Sequence, residues 1–231
     1  MPRRRHSMIT GARDVAPILL GIVPFGLVAG SQVISAGFGM AEAIGMSLFV
    51  NAGASQIAAT SLYIEGAPLF VILGTALVIN ARMFIYSISI APVLESASAR
   101  LRPLLGHMLV DQNYAMTMTR GRERSDVDPV PYYIGAWLAL ASTWQLSSIA
   151  GAALGPFIPA SWGLDFAVPL VFLAMLVPSL KGRLSLEVAG ITAIAAALLV
   201  PRLPMQTGLL VAMFAGMLWG ALRHPAEEQS S

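Results

Sequence analysis

The chain contains no cysteine. Disulfides, iron–sulfur clusters and thiol nucleophiles are therefore excluded. Charge is scarce: 11% of the 231 residues are Asp, Glu, Lys or Arg, against about 25% in a soluble domain. The three histidines, His6, His107 and His224, have no mutual metal-ligand spacing, so no metal site is expected. There is no GxxxxGK[ST] for direct use of ATP and no HExxH for zinc hydrolysis. No cofactor and no enzymatic activity are expected. The net charge of +2 and pI near 9.3 do not point to nucleic acid, because Arg and Lys cluster in connecting segments as orientation signals do.

What the chain has is apolar length. Hydrophobic residues make up 56% of it, and the mean hydropathy is +0.73. Several windows of about twenty residues carry few or no charges, which indicates an all-α polytopic membrane protein. A transmembrane β-barrel would instead show alternating ten-residue segments. The pattern predicts helices at 15–36, 40–63, 67–93, 101–119, 131–155, 163–180, 185–201 and 204–222. The fourth is the most polar, with His107, Asp111, Gln112 and Asn113. This gives a basic tail over 1–14, a single transmembrane domain over 15–222 and a polar tail over 223–231. The apolar run from Val15 to Val33 is long for a signal peptide and reads as a retained first span.

Charge bias sets the orientation. With eight spans and a cytoplasmic N-terminus, Arg3, Arg4, Arg5, Arg13, Arg120, Arg122, Arg124, Lys181, Arg183 and Arg223 fall inside. Only Arg100, Arg102 and Arg202 fall outside, as the positive-inside rule requires. Both termini are then cytoplasmic. Seven spans with a re-entrant fourth segment is the alternative. Glu42 and Phe49 are spaced like Asp165 and Phe172, an offset of 123, which suggests a weak two-half repeat of the kind found in transporters. Glu42 and Asp165 also suit the start of a helix, where the dipole favours an acid. Three GxxxG pairs, Gly26–Gly30, Gly151–Gly155 and Gly216–Gly220, indicate close helix packing.

Four features carry possible chemistry. Arg82 lies in the middle of the apolar run from Pro68 to Pro92, where an arginine costs about 2.5–3.5 kcal/mol on insertion scales. Asp111 lies at similar depth, so the two are expected to pair, either as a static salt bridge or beside a substrate or ion path. Asn51, Gly53, Ser55 and Gln56 form a polar patch in helix two, with Asn51 and Ser55 on one face. The patch fits either interhelical hydrogen bonding or a ligand site. Pro24, Phe25 and Gly26 suggest a broken first helix whose half-helix N-terminus would seat a carboxylate, or a simple kink. Asn80 precedes Arg82 by two residues and Tyr86 follows it by four, on the same face. Gly53-Ala54-Ser55 with His107 also mimics a Ser–His intramembrane protease, but Gln56 follows the serine and His107 lies off mid-depth.

PFG at 24–26, the acid-led segment ending in NAGASQ at 51–56, NAR at 80–82 and DQNYA at 111–115 resemble, in order and spacing, the AzlC family. These are large subunits of bacterial branched-chain amino-acid exporters. The likeness covers roughly residues 11–222 and is densest before residue 120. It implies a multi-pass inner-membrane protein that exports leucine, isoleucine or valine, with a small, separately encoded membrane partner of the AzlD type. Met83 and Gln112 stand where the family often has His and Glu, so proton coupling at those two positions is in question. The leading expectation is a secondary transporter. The first-helix break and the Asn51–Gln56 segment, with Asn80 nearby, would bind substrate and hold its carboxylate. Asp111 would take the ammonium or a proton, with Arg82 setting its charge state, and Phe25 and Phe49 would form an apolar wall. The competing expectations are a non-transporting subunit that stabilises a partner, a transporter for another small zwitterion, and the intramembrane hydrolase.

Overall fold

The computed structural model describes residues 2–121, 126–157, 180, 182–203 and 207–228. Among them every regular element is helical. The chain divides into two compact units, Met1–Gln56 with Asn80–Trp162, and Ile57–Ile79 with Gly163–Ser231. The helices are α1 (Pro2–Asp14), α2 (Ala16–Ser35), α3 (Met40–Phe49), α4 (Gly53–Ile64), α5 (Leu69–Asn80), α6 (Arg82–Ile90), α7 (Arg102–His107), α8 (Asp111–Met116), α9 (Pro129–Leu154), α10 (Arg183–Leu199) and α11 (Thr207–Glu228). A π-helical turn, Thr117–Gly121, follows α8. The basic segment 2–14 is helical, and α11 continues past residue 222.

The first unit is built on two parallel helical columns, α1–α2 and α9. Ser7 Oγ accepts the Asp128 amide at 2.9 Å, and the Tyr132 hydroxyl donates to Asp14 at 3.0 Å. Further along, Gly26 lies against Ser147, Gly30 against Ser148 and Ala152, Gly151 against Leu27, and Gly155 against Ser31. Partners stay about 121 residues apart along the whole contact, which only parallel helices allow. The GxxxG glycines are what permit it, because their missing side chains let the backbones touch. α9 starts sharply: Asp128 accepts the Val130 amide at 3.2 Å and Pro129 occupies the first helical position.

Two of the expected spans are broken and fold back on themselves. The predicted helix 40–63 is broken at residues 50–52. α3 runs antiparallel to α9, with Ala43 beside Ala152 and Ser47 bonded to Ser148. A straight helix would then carry Gln56 roughly 13 Å beyond Ser47. Instead the two side chains meet at 3.4 Å, so the chain folds back. The predicted helix 101–119 is broken at residues 108–110. Its first limb begins beside the start of α9, where Leu105 O accepts the Tyr133 hydroxyl at 3.0 Å. Leu101, Leu105, Met108, Tyr114 and Met118 join one cluster with Val130 and Tyr133, so the second limb returns to the end the first came from.

A single re-entrant segment would leave α9 antiparallel to α2, so the observed parallel pair excludes one hairpin alone and accords with two. The correction has an electrostatic consequence. Ile90, Leu94, Ala97 and Leu105 cluster with Val130, so Arg100 and Arg102 lie at the same end as Arg4, Arg5 and Arg13, not opposite them. Five exposed arginines of the first unit thus share one end of it.

By length and composition, two described helical stretches can cross a bilayer, Ala16–Ser35 and Leu69–Ile90. The seven or eight spans expected are not reached among the described residues, and the predicted helix 163–180 lies outside them, with Asp165 and Phe172 of the proposed repeat. Phe70, Leu73, Leu77, Phe84 and Ile88 on the second stretch are exposed, as apolar side chains facing lipid are. The first helix is not broken: α2 runs unbroken through Pro24. Pro24 is on its exposed side, while Phe25, Gly26, Ala29 and Gly30 are buried. Packing against α9 holds the helix straight enough to absorb the one lost hydrogen bond.

In the second unit, α10 and α11 pair antiparallel, with Gly208 against Leu199, Gly216 against Thr192 and Gly220 against Val188. Glu187 accepts from Trp219 Nε1 at 3.0 Å and pairs with Arg223 at 3.3 Å.

Candidate functional site

The two chain breaks meet. At the first, Asn51 takes a left-handed backbone conformation with φ 46°, which asparagine tolerates better than other side chains with a Cβ. Its side-chain amide donates to the His107 carbonyl at 2.6 Å, across to the end of α7. His107 therefore lies at the hairpin tip rather than towards a span end, and its ring stands edge-on to Trp137 at 6.3 Å. The helical face expected to carry Asn51 and Ser55 together does not exist, because the break separates them.

α4 starts at this tip. The Gln56 amide bonds Ala52 O at 2.9 Å. The amides of Gly53, Ala54 and Ser55 thus precede the first intrahelical bond, at the positive end of the helix dipole. Gly53 lies under two aromatic rings, Phe25 and Trp144, packed edge to face at 5.3 Å and 62°. Ser55 is 1% exposed and its Oγ has no hydrogen-bond partner among the described residues, His107 included. Gln56, also buried, joins Ser47, which meets Ser148 Oγ at 2.7 Å. A polar network therefore anchors both limbs of the hairpin to α9.

At the second break, extended Val110 (φ −134°, ψ 159°) delivers Asp111 as the first residue of α8. Asp111 Oδ2 pairs with Arg82 Nη2 at 2.9 Å, the two side chains 27% and 37% exposed. Arg82 is itself the first residue of α6. Asp111 Oδ1, Arg82 Nε and Asn80 Oδ1 are buried without a partner among the described residues. Tyr86 stacks on Tyr114 with ring centres 4.2 Å apart and planes 9° apart, tying α6 to α8 beside the pair. Asn113 Nδ2 caps the turn by donating to Met108 O at 3.1 Å.

The structure therefore joins Arg82 to Asp111, and groups Phe25, Gly53, Ser55 and Gln56 around the start of α4. It leaves Pro24 outside. Gly26 serves the contact with Ser147 and Trp144 O on α9, not a ligand-binding break. Phe49 is 79% exposed; it lies on the face of α3 away from α9, so it is not the expected wall. Trp144 takes that place. Trp144 is not among the expected site residues, although the polar residues Thr143, Gln145, Ser147 and Ser148 beside it in an apolar helix are a usable signal. Chemically, one tip offers helix-start N–H groups that precede the first intrahelical bond and suit an anion, and the other a carboxylate with one oxygen lacking a partner among the described residues.

A family model described as AzlC protein matches residues 17–158. An uncharacterized membrane protein of Helicobacter pylori is 27% identical over 181 residues, 76% of this chain and 78% of its own length. The inner membrane protein YgaZ of Escherichia coli is 24% identical over 226 residues, 94% of this chain and 89% of its own. An uncharacterized membrane protein of Archaeoglobus fulgidus is 28% identical over 177 residues, 72% of this chain and 73% of its own. No solved structure matches.

Proposed function

Because the chain belongs to the AzlC family of membrane proteins, we propose that it is the large subunit of a secondary transporter exporting branched-chain and similar apolar amino acids across the bacterial inner membrane. The observation that carries this reading is the junction of two re-entrant tips, one presenting free helix amides and the other a carboxylate. A zwitterion needs both. The substrate carboxylate sits on the amides of Gly53, Ala54 and Ser55, as anions do at helix N-termini. Asp111 takes the ammonium, exchanging Arg82 as its ion-pair partner when the substrate arrives. The apolar side chain lies against Phe25 and Trp144.

The protein performs no covalent chemistry in this scheme. It is multi-pass with both termini cytoplasmic, the arginine-rich end facing inward. A small membrane subunit of the AzlD type completes the transporter, sharing with lipid the exposed apolar stripe of Leu69–Ile90. Growth in a toxic leucine analogue, with and without the chain, tests the export. Equal sensitivity of the two cultures counts against it. In proteoliposomes, leucine efflux unaltered by Arg82→Ala and Asp111→Asn removes both residues from the mechanism.

A further inference from the structure

We propose that Trp144, with Phe25 beside it, sets which amino-acid side chains the α4 cradle accepts; this rests on the transport reading above. The indole is aimed at the cradle by its far edge. A Cβ placed on Gly53 would lie 2.6 Å from Trp144 Cη2, 3.0 Å from Cζ3 and 2.8 Å from Phe25 Cε1. All three are shorter than carbon–carbon contact at about 3.5–4.0 Å. Both rings therefore touch the backbone of the first residue of α4. A carboxylate held by the amides of Gly53, Ala54 and Ser55 brings its own Cα and side chain up against these same edges.

The wall is fixed from behind. Trp144 packs on the cluster of Val15, Ile22, Ala136 and Leu140, and its carbonyl abuts Gly26 of α2. α9 and α2 thus set the ring's position, and Phe25 buttresses its face edge-on. Trp144 Nε1 is buried without an acceptor among the described residues, and so is Ser55 Oγ. Buried donors are seldom left unpaired. The unpaired Ser55 hydroxyl, in the first turn of α4, points to a polar ligand atom arriving there. Flat aromatic edges close to the amides admit a compact branched aliphatic group and exclude a second ring. The ligand class is an α-amino acid with an aliphatic side chain of up to four carbons.

The test is counterflow of labelled leucine in proteoliposomes holding the full-length chain together with its small AzlD-type membrane subunit, competed by valine, leucine, phenylalanine and tryptophan. Trp144→Leu is expected to improve phenylalanine competition relative to leucine by about tenfold or more, the scale at which pocket size discriminates apolar groups. Trp144→Phe, which keeps a ring on α9, shifts it the same way by less and serves if the leucine variant does not accumulate. Gly53→Ala is expected to abolish leucine counterflow, and Gly53→Ala with Trp144→Leu to restore it, because the added methyl then has room. An unchanged competition profile in a Trp144 variant that still moves leucine overturns the proposal. So does a folded double variant as inactive as Gly53→Ala alone. A wild-type protein that moves none of the four overturns the transport reading, and this assignment with it.

Discussion

Asn51 donates its side-chain amide to the His107 carbonyl at 2.6 Å, which ties the tips of two hairpins that enter from opposite ends of α9. The same residue holds the left-handed turn that starts the first return limb. One side chain thus has a backbone task and a bridging task, and substitution can separate them.

Asn51→Gly keeps the turn and loses only the bridge, so it should cost about 1 kcal/mol. Asn51→Ala loses the bridge and also pays roughly 1–2 kcal/mol for a left-handed residue with a Cβ. Thermal unfolding in detergent should rank wild type above glycine and glycine above alanine. An alanine variant as stable as the glycine one would mean that the turn is not strained.

Arg82 and Asp111 form an ion pair that is about one-third exposed rather than sealed. Losing one partner of a fully buried pair costs about 3–5 kcal/mol, and screening by a partly open site reduces that. Asp111→Asn is expected to destabilise by about 1–3 kcal/mol. The double change Arg82→Gln with Asp111→Asn should recover most of that loss, because no charge is left unpaired. Transport should stay low in both. If the double variant exports leucine normally, the pair is a packing device only.

Gly30 and Gly151 face each other's helix so closely that an added Cβ would press on the backbone of Ser148 and of Leu27. Neither backbone can rotate away as a flexible side chain can. Gly30→Ala and Gly151→Ala should each destabilise by about 1–3 kcal/mol, the usual cost of overpacking. Gly21 meets nothing within 4 Å, so Gly21→Ala is the control and should leave the melting temperature unchanged or slightly raised.

Helical, apolar character and the meeting of Arg82 with Asp111 were legible in the sequence, because a charge of each sign in an apolar run has few partners to choose from. The GxxxG contacts were legible for a similar reason. The direction of the chain was not. Hydropathy measures how long a segment is, and α3–α4 is long enough to cross although it turns back at Asn51. The turn was hidden because asparagine supplies it without a glycine in the left-handed position. Pro24 gave the opposite error: a proline on the exposed side of a well-packed helix leaves the helix intact. Phe49 and Trp144 were indistinguishable as apolar residues near a polar patch until packing showed which one faced it.

The hairpin topology makes a prediction that eight alternating spans reverse. With two re-entrant segments, Arg100 lies at the same end of the first unit as Arg5, whereas eight alternating spans put them on opposite sides. Glu42 starts α3 near the end of α9, where Ala43 packs on Ala152, and so marks the other end. The chain has no cysteine of its own, so single cysteines can be introduced without a background. Arg5→Cys and Arg100→Cys should both be shielded from a membrane-impermeant maleimide added to intact spheroplasts, and both should react after permeabilisation. Glu42→Cys should react without it. Labelling of Arg100→Cys in intact spheroplasts would mean that 40–63 crosses after all, and with α9 parallel to α2 that 101–119 crosses too. The carboxylate of Asp111 would then belong to a through-going helix, and the junction of tips on which the substrate cradle depends would be lost.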